Sequence, residues 1–231
     1  MRRQTLEQPW PRSLAEARLL QERLRGQVVT EDQLSPVQRV AGVDAHYDVD
    51  RLWAAIVVMT FADLVIVESA LINRPLAFPY LPGLLSFREA PAILDVLHRL
   101  SDKPDLLLVD GQGLAHPRRF GLACHVGVLG DVPTIGVAKS RLVGTYQEPG
   151  IERGAWSELT NRGETIGAVL RTRSAVRPVF VSIGHRISLK TAIDLVLRCT
   201  GHFRLPEPIR AADALSRQHL VPGIIDARNV V

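Results

Sequence analysis

The sequence predicts an α/β protein with one mixed sheet, in which three antiparallel strands are followed by parallel strands and helices flank the sheet. Two observations predict this class. Three runs rich in valine and isoleucine come first, and their connections are so short that antiparallel hairpins are expected. Short apolar runs then alternate with helical patterns, which is typical of parallel strands joined by crossovers.

The predicted elements follow in order along the chain. A helix is expected over residues 13–28, because Ser13 and Glu16 fit a capping box ahead of apolar residues at helical spacing. Strands are predicted at 40–47, 52–61 and 64–72, a proline-rich loop at 75–83, a helix at 88–100, a strand at 106–110, a helix at 120–129 and a strand at 134–138. Strands at 165–172 and 179–183 and helices at 189–199 and 208–218 complete the chain. This order is that of the ribonuclease H-like fold.

Length and composition indicate a globular protein. The 231 residues are 46% hydrophobic, which predicts one domain over 1–231. No run approaches the ~18 consecutive apolar residues that cross a bilayer, and the N-terminus lacks the apolar segment of a secretory signal. A cytoplasmic protein without a membrane partner is therefore expected. The sequence does not specify an oligomeric state, and a monomer is the expectation.

Charge and cysteine content add weaker indications. The formal net charge of +4 suits a polyanionic partner such as nucleic acid, but it is also ordinary for an arginine-rich protein. Cys124 and Cys199 both lie in apolar helical patterns, so buried thiols are expected and a disulfide framework is not.

Two aspartates occupy unusual positions in predicted strands. Asp44 lies inside the first strand, where an unpaired charge is costly. Asp110 ends the run Leu-Leu-Leu-Val-Asp, at the carboxyl end of a strand, where open α/β sheets bind their ligands. If the two strands are neighbours, both carboxylates face one point, and such hard oxygen ligands suit Mg²⁺ or Mn²⁺. The alternatives are an internal salt bridge for Asp44 and a simple turn role for Asp110.

Two further acids are candidates to complete this site. Glu89 falls in the first turn of a predicted helix, where its alternative role is a favourable interaction with the helix dipole. Asp213 lies on the last predicted helix, where Arg210 is an alternative i,i+3 salt-bridge partner.

Basic residues follow the second aspartate closely. The loop 111–121 combines glycines with His116, Arg118 and Arg119, which are groups that bind a phosphodiester; a basic surface loop is the alternative. Lys139 follows the strand at 134–138 and is expected at the same end of the sheet. His125 lies in an apolar helix, where a structural and a functional role remain open.

The most unusual aromatic context is Pro79-Tyr80-Leu81-Pro82-Gly83. The prolines stiffen this loop, so Tyr80 and Leu81 are candidates for a rigid wedge that inserts into base steps. The alternatives are a loop folded onto the core and a P-x-x-P ligand for another domain.

Taken together, these residues resemble the endonuclease V family. The resemblance rests on VAGVD at 40–44, FPYLPGLLSFRE at 78–89, VDGQGLAHPRRFG at 109–121, PTIGVAKS at 133–140 and LPEPIRAAD at 205–213. It implies a ribonuclease H-like nuclease that recognises deoxyinosine in DNA and cleaves the second phosphodiester on its 3′ side, beginning repair. Asp44 and Asp110 are then the principal Mg²⁺ ligands, with Mn²⁺ able to substitute, and Glu89 is a further catalytic acid. Asp213 matches a position where some members carry histidine.

The resemblance also implies residues that contact nucleic acid. The strand-separating wedge is Tyr80 with Pro79, Leu81 and Pro82, and polar positions near the scissile strand are His116 and Lys139. The pocket for the extruded base is lined, mainly through backbone, by Gly83, Leu85, Gly111, Gly113 and Leu142.

Other functions remain as alternatives at this stage. An inosine-specific endoribonuclease has the same phosphates and base to recognise, and a non-catalytic inosine-binding protein has the same pocket. A sugar kinase or actin-like ATPase is disfavoured, because Ala45-His46-Tyr47 follows Asp44 where such proteins place a glycine and a hydroxyl residue.

Overall fold

A computed structural model describes residues 10–76 and 78–218, and these form one eight-stranded sheet covered by helices. In chain order the elements are α1 (Leu14–Arg25), β1 (Arg39–Asp48), β2 (Arg51–Thr60), β3 (Ile66–Pro75), α2 (Leu85–Arg99), β4 (Leu106–Asp110), α3 (Leu122–Gly130), β5 (Thr134–Ala138), β6 (Trp156–Asn161), β7 (Glu164–Leu170), β8 (Val179–His185), α4 (Leu189–Arg198) and α5 (Glu207–Ser216). The strand order across the sheet is β3-β2-β1-β4-β5-β8-β7-β6. The predicted mixed α/β class is confirmed.

The first five strands have the predicted arrangement. β1, β2 and β3 form an antiparallel meander. β4 then pairs parallel with β1, and β5 pairs parallel with β4. This places the carboxyl ends of β1, β4 and β5 side by side at one edge, where ligands bind in open α/β sheets.

The other half of the sheet differs from the prediction. β8 pairs antiparallel with β5, and β7 and β6 continue in the antiparallel sense, so parallel pairing stops at β5. β6 was not predicted. Its sequence, Trp-Ser-Glu-Leu-Thr-Asn, contains a single buried residue, Leu159, because β6 lies at the edge of the sheet. An edge strand of this kind lacks the apolar alternation on which sequence prediction depends.

Two core layers sandwich the sheet, and β4 shows why. Its side chains alternate, with Leu106 and Leu108 in the core layer beneath α4 and α5, and Leu107 and Val109 in the layer beneath α2 and α3. This alternation is the two-residue period of a strand buried on both faces. By the same period, Asp110 belongs to the face that α5 covers.

The helix ends deviate from prediction where no capping residue marks them. Ser13 caps α1 as predicted, since its hydroxyl accepts a hydrogen bond from Glu16 N at 3.2 Å, although α1 ends at Arg25. α2 begins at Leu85, three residues earlier than predicted, and has no side-chain cap. Buried Leu84 and Phe87 pack in the cluster beneath α1, so apolar contacts determine its start.

Two further observations concern regions outside the site. Cys124 and Cys199 are free and fully buried, and burial raises the pKa of each thiol to about 12. Across residues 10–76 and 78–218, no helix has the length and apolar character required to cross a membrane.

Candidate active site

The two predicted ligand carboxylates lie on neighbouring strands at the same end of the sheet. Val43 of β1 is in register with Val109 of β4, and each is followed directly by the aspartate in question, Asp44 and Asp110. Both side chains fall on the face that α5 covers, as the strand period requires. The strand register therefore makes the two carboxylates neighbours, and after burial, which is the main cause, repulsion from Asp110 adds to the raised pKa of Asp44.

Asp44 is almost fully buried and is held by a residue that the sequence did not indicate. Its exposed fraction is 8%, and its Oδ2 accepts a hydrogen bond from the Ser216 hydroxyl of α5 at 2.7 Å. Burial is the main cause that raises the pKa of Asp44 to about 6, with Asp110 and Asp213 adding repulsion. The predicted alternative, an internal salt bridge, is not formed among the described residues.

Asp110 is held from the end of the next strand. Lys139 follows β5, and its Nζ lies 2.6 Å from Asp110 Oδ2. Burial acts to lower the pKa of Lys139, but the bond to Asp110 and the charges of Asp44 and Asp213 raise it overall, so the lysine carries its proton. Arg204, which was not predicted, donates to the Lys139 carbonyl at 2.6 Å and so fixes the backbone that carries this lysine.

Glu89 approaches the same place from the opposite face of the sheet. It lies in the second turn of α2, fully inside the protein, so the predicted dipole interaction in a first turn is wrong. The Tyr47 hydroxyl donates a hydrogen bond to Glu89 Oε1, and Arg88 stacks over the Tyr47 ring. Burial first, and then repulsion from Asp44 and Asp110, raises the pKa of Glu89 to about 8.

Asp213 completes the acidic group from α5. The Ser216 hydroxyl that binds Asp44 also donates to the Asp213 carbonyl at 3.0 Å, so the two acids are linked through α5. The salt-bridge partner of Asp213 is Arg217, at 3.0 Å, and the predicted alternative partner Arg210 binds Glu207 instead at 2.6 Å. With a side chain 34% exposed, Asp213 is the most accessible of the four acids.

This donor set fits a divalent cation that retains water ligands. Asp44, Asp110 and Asp213 all act electrostatically on Lys139. Asp44 and Glu89 carry raised pKa values, which a nearby cation would lower. Within the described part of the chain, no three His, Cys, Asp or Glu side chains are grouped closely enough to enclose a metal alone. Mg²⁺ typically uses one or two carboxylates, with water and substrate phosphate as its remaining ligands. Asp44 and Asp110 suit that type of site.

The proline-rich loop ahead of α2 presents its aromatic tip outward. Tyr80 is 65% exposed, and the flanking Pro79 and Pro82 are exposed as well. Phe78 is buried against Phe87 and anchors the base of the loop. The alternative in which the loop folds onto the core therefore applies to Phe78 and not to Tyr80.

The turn that ends this loop is bound to the loop behind Asp110. The Gly83 carbonyl accepts hydrogen bonds from His116 Nε2 at 3.1 Å, from Arg118 Nη2, and from Gln21 Nε2 of α1 at 3.2 Å. His116 Nδ1 accepts from the Arg118 amide at 3.2 Å, so its imidazole is neutral with the proton on Nε2. Burial and the neighbouring Arg118 lower the pKa of His116 to about 4.

The basic residues of loop 111–121 thus point inward. Arg118 donates to the Gly83 carbonyl. Arg119 binds Asn161, the last residue of β6, and Glu164, the first residue of β7. His116 is only 4% exposed. Neither arginine is disposed as a free phosphate ligand, and Lys139, whose side chain is 47% exposed, is the accessible cation beside Asp110.

The residues expected around an extruded base lie on three segments of this edge. The Gly113 amide donates to Ser182 Oγ at 2.8 Å, and a Cβ on Gly113 would lie 2.0 Å from the Ile183 carbonyl oxygen. Gly113 therefore packs loop 111–121 tightly onto β8. Gly111 follows Asp110 directly, Leu85 opens α2 and is partly buried, and Leu142 is 48% exposed beyond Lys139.

His125 has a structural position. It is fully buried in α3 among the rings of Trp10, Phe87 and Phe120, and its Nδ1 lies 3.0 Å from Ser86 Oγ. Burial lowers its pKa to about 3, so it stays neutral. Of the two roles left open by the sequence, His125 therefore has the structural one.

The raised pKa of Glu89 predicts a stability change with pH in the metal-free protein. The folded protein keeps the Glu89 proton up to a pH of about 8, whereas the unfolded chain releases it near the ordinary value of 4.5. Because the folded state binds the extra proton, the contribution of Glu89 to the free energy of unfolding should fall as pH rises from 6.5 to 8, by an amount on the order of 1–2 kcal/mol. The buried histidines act in the opposite direction near pH 6.5, because they are neutral in the folded protein but partly protonated in the unfolded chain. Their contribution is the same in the wild type and in a variant at Glu89.

The matched variant is Glu89→Gln, a neutral isostere that still accepts from Tyr47. In urea unfolding with a chelator present, at half-unit pH steps, the free energy of unfolding of the wild type minus that of the variant should fall by this amount, since the histidines contribute equally to both proteins. Parallel profiles for the two proteins would show that Glu89 does not hold the proton.

Acidic side chains at this edge of a ribonuclease H-like sheet are the arrangement of a nuclease, an enzyme that hydrolyses phosphodiester bonds, and the comparisons with known proteins identify that class. A model of the Endonuclease V family matches residues 22–214, and the chain belongs to that family. Endonuclease V of Roseiflexus sp. (strain RS-1) is 54% identical over 219 residues, which cover 95% of this chain and 99% of that protein. Family membership excludes the sugar kinase and actin-like alternatives.

Solved structures of other members share the fold. Endonuclease V from Streptomyces avermitilis matches with a TM-score of 0.88 and 46% identity, covering 92% of this chain and 95% of that one. Ciona intestinalis Endonuclease V, in complex with a 24mer DNA containing an inosine followed by a ribo-adenosine, matches with a TM-score of 0.79 and 31% identity, covering 89% and 96% of the two chains.

Proposed function

We propose that this protein is a Mg²⁺-dependent endonuclease that recognises deoxyinosine in DNA and cleaves the second phosphodiester bond on the 3′ side of the lesion, beginning its repair. The observation that carries the proposal is the juxtaposition of Asp44 and Asp110, which directly follow the paired residues Val43 and Val109 of β1 and β4. The inosine-containing DNA bound by the Ciona relative supports the substrate class.

The site residues divide the chemistry between them. Asp44 and Asp110 would hold the metal, which when bound supplies an activated water and stabilises negative charge on the phosphate. Ser216 orients Asp44, and Lys139 orients Asp110 while offering positive charge near the scissile strand. Glu89 can retain a proton at neutral pH, and Asp213 is exposed enough to orient water at the rim of the site.

Recognition would use the wedge loop, defined here as residues 78–84. Tyr80 would insert beside the base pair and keep the extruded inosine out of the stack. Gly83, Leu85, Gly111, Gly113 and Leu142 would surround the extruded base. In this arrangement the wedge loop separates the two DNA strands, and the carboxylates of β1 and β4 beside it carry out the hydrolysis.

A labelled duplex with one inosine, and its adenosine-containing match, test the proposal directly. Mg²⁺-dependent nicking of the inosine duplex alone, mapped to the second 3′ phosphodiester, is the expected result. Binding without nicking at any Mg²⁺ concentration would instead identify a non-catalytic inosine-binding protein. Mn²⁺ should restore nicking after chelation.

The same panel should include RNA. The Ciona complex contains a ribonucleotide after the inosine, so an inosine-specific endoribonuclease is the second candidate. The values of kcat/KM for single- and double-stranded DNA and RNA, each with one inosine, would show which of the two functions the protein performs more efficiently.

Replacement of Tyr80 by alanine should weaken discrimination between inosine and normal duplex. The expected loss is about 1–3 kcal/mol, the free energy of one base–aromatic stack. Binding of both duplexes is measured without Mg²⁺, and Ile151→Ala is the control, since Ile151 is 67% exposed and lies outside the wedge loop. Unchanged affinity of Tyr80→Ala for both duplexes would assign the loop a structural role only.

A further inference from the structure

The Gly83 carbonyl joins three parts of the chain that are distant in sequence. Its donors are Gln21 of α1 together with His116 and Arg118 of loop 111–121, and we call these three side chains the Gly83 clamp. Gln21 also donates to the Phe120 carbonyl at 3.1 Å and accepts from Arg118 Nε at 2.5 Å. One side-chain amide therefore binds the wedge loop and the loop behind Asp110 at the same time.

Gln21 is a polar residue on an apolar face. It is fully buried, and α1 turns Ala17, Leu20 and Leu24 to the same side. A buried amide is tolerated only when its donors and acceptor are satisfied. The Gln21 amide donates to Gly83 and Phe120 and accepts from Arg118, so it is fixed in place by the two loops that it connects.

The turn at Gly83 is built to receive these donors. Its φ of +77° is in the left-handed region, which favours glycine. A Cβ there would lie 2.9 Å from Arg118 Nη2, so a side chain would displace the Arg118 guanidinium from its present position. The His116 imidazole is buried and neutral, and both of its nitrogens are engaged within the clamp.

We propose that Gln21 is a positioning residue that makes the wedge loop rigid relative to loop 111–121, so that opening of a paired substrate depends on it while cleavage of an already open substrate does not. This inference rests on the proposed function. Extruding a base from a duplex requires free energy for unstacking and unpairing. The wedge loop can hold the duplex open only if it keeps its position against the rest of the protein. When the inosine is already unpaired, the base pocket, the acids and Lys139 are still needed, but the wedge loop no longer has to separate a base pair.

Gln21→Leu tests the inference on two substrates. One is a fully paired duplex with a single inosine, and the other carries the inosine in a bubble of unpaired bases. Loss of these hydrogen bonds should lower kcat/KM on the paired duplex roughly ten-fold. The same constant on the bubble should remain within about two-fold of the wild type.

Matched variants keep the test decisive. Gln27→Leu changes an exposed glutamine just after α1 and should leave both constants unchanged. Arg118→Met keeps the aliphatic stem but removes two clamp donors, and it should reproduce the selective loss even if Gln21→Leu does not fold. A 2-aminopurine beside the inosine, measured with chelator, should show less base opening at saturation with either clamp variant.

Each outcome decides the point. An equal loss on both substrates would show a general effect on folding or chemistry, and no loss on either would show that the clamp has no role in opening; both overturn the inference. If the wild-type protein cleaves neither substrate, the proposed function itself is wrong, which is a different result.

Discussion

Asp110→Asn is expected to lower Mg²⁺-dependent nicking of an inosine duplex by at least about 10³-fold, because the stabilisation that a metal supplies to the reacting phosphate is worth several kcal/mol. Asp110→Ala should have the same effect. Affinity for the duplex in the absence of Mg²⁺ should change little, since the wedge loop and the clamp lie outside this carboxylate. The measurement pairs single-turnover nicking with a binding titration in chelator.

The fold should survive the Asp110 substitution. Asp110 is 14% exposed in its side chain and its neighbour Lys139 is half-exposed, so water can solvate the lysine that loses its partner. Asp95→Asn is the control, because Asp95 is a surface carboxylate paired with Arg74 and lies on α2 away from the strand ends. Nicking by Asp110→Asn at the wild-type rate would remove Asp110 from the chemistry.

The acidic site could be predicted because each of its two aspartates is unusual within its own strand. Asp44 interrupts an apolar strand and Asp110 ends another, and each anomaly is visible without knowledge of the rest of the chain. Only the pairing of β1 with β4 was needed to bring them together, and the order of elements predicted that pairing. The structure has both strands in the register that makes the two aspartates neighbours.

The residues that hold the acids could not be predicted in the same way. Ser216 is 172 positions from Asp44, and Tyr47 reaches Glu89 across 42 positions. Their contacts depend on how α5 and α2 lie on the sheet, which periodicity does not encode. A weaker signal existed for Gln21, because it is a polar residue on the buried stripe of α1 and therefore had to find partners.

The wedge loop shows the converse case. Its sequence correctly suggested that Tyr80 projects outward, since prolines on both sides keep it from joining the sheet. The basic residues behind Asp110 suggested a phosphate-binding loop, yet Arg118 and Arg119 bind protein carbonyls and carboxylates instead. The sequence identifies residues that are able to bind phosphate. Whether they are free to do so depends on the tertiary structure, which here brings Gly83 to Arg118 and the end of β6 to Arg119.

Gly42→Ala should give the largest loss of stability among the changes considered, because β1 and α5 meet there at backbone distance. A Cβ on Gly42 would lie 1.9 Å from the Pro208 carbonyl oxygen and 2.0 Å from its carbon. Neither atom belongs to a flexible side chain, so α5 must move away from the sheet. The free energy of unfolding should fall by about 3 kcal/mol, at the upper end for overpacked sites.

The same displacement should reach the active site, since α5 carries Ser216 to Asp44 and Asp213 to the rim. Cleavage by Gly42→Ala should therefore drop further than the loss of folded protein explains, when both are measured at a temperature where circular dichroism shows the variant folded. Gly26→Ala is the control: its nearest contact would be 3.9 Å away and its φ of −66° suits any residue, so stability and cleavage should be unchanged. A Gly42→Ala protein as stable and active as Gly26→Ala would mean that α5 does not pack closely against β1. The proposed support of the Asp44 carboxylate by Ser216 of α5 would then be wrong as well.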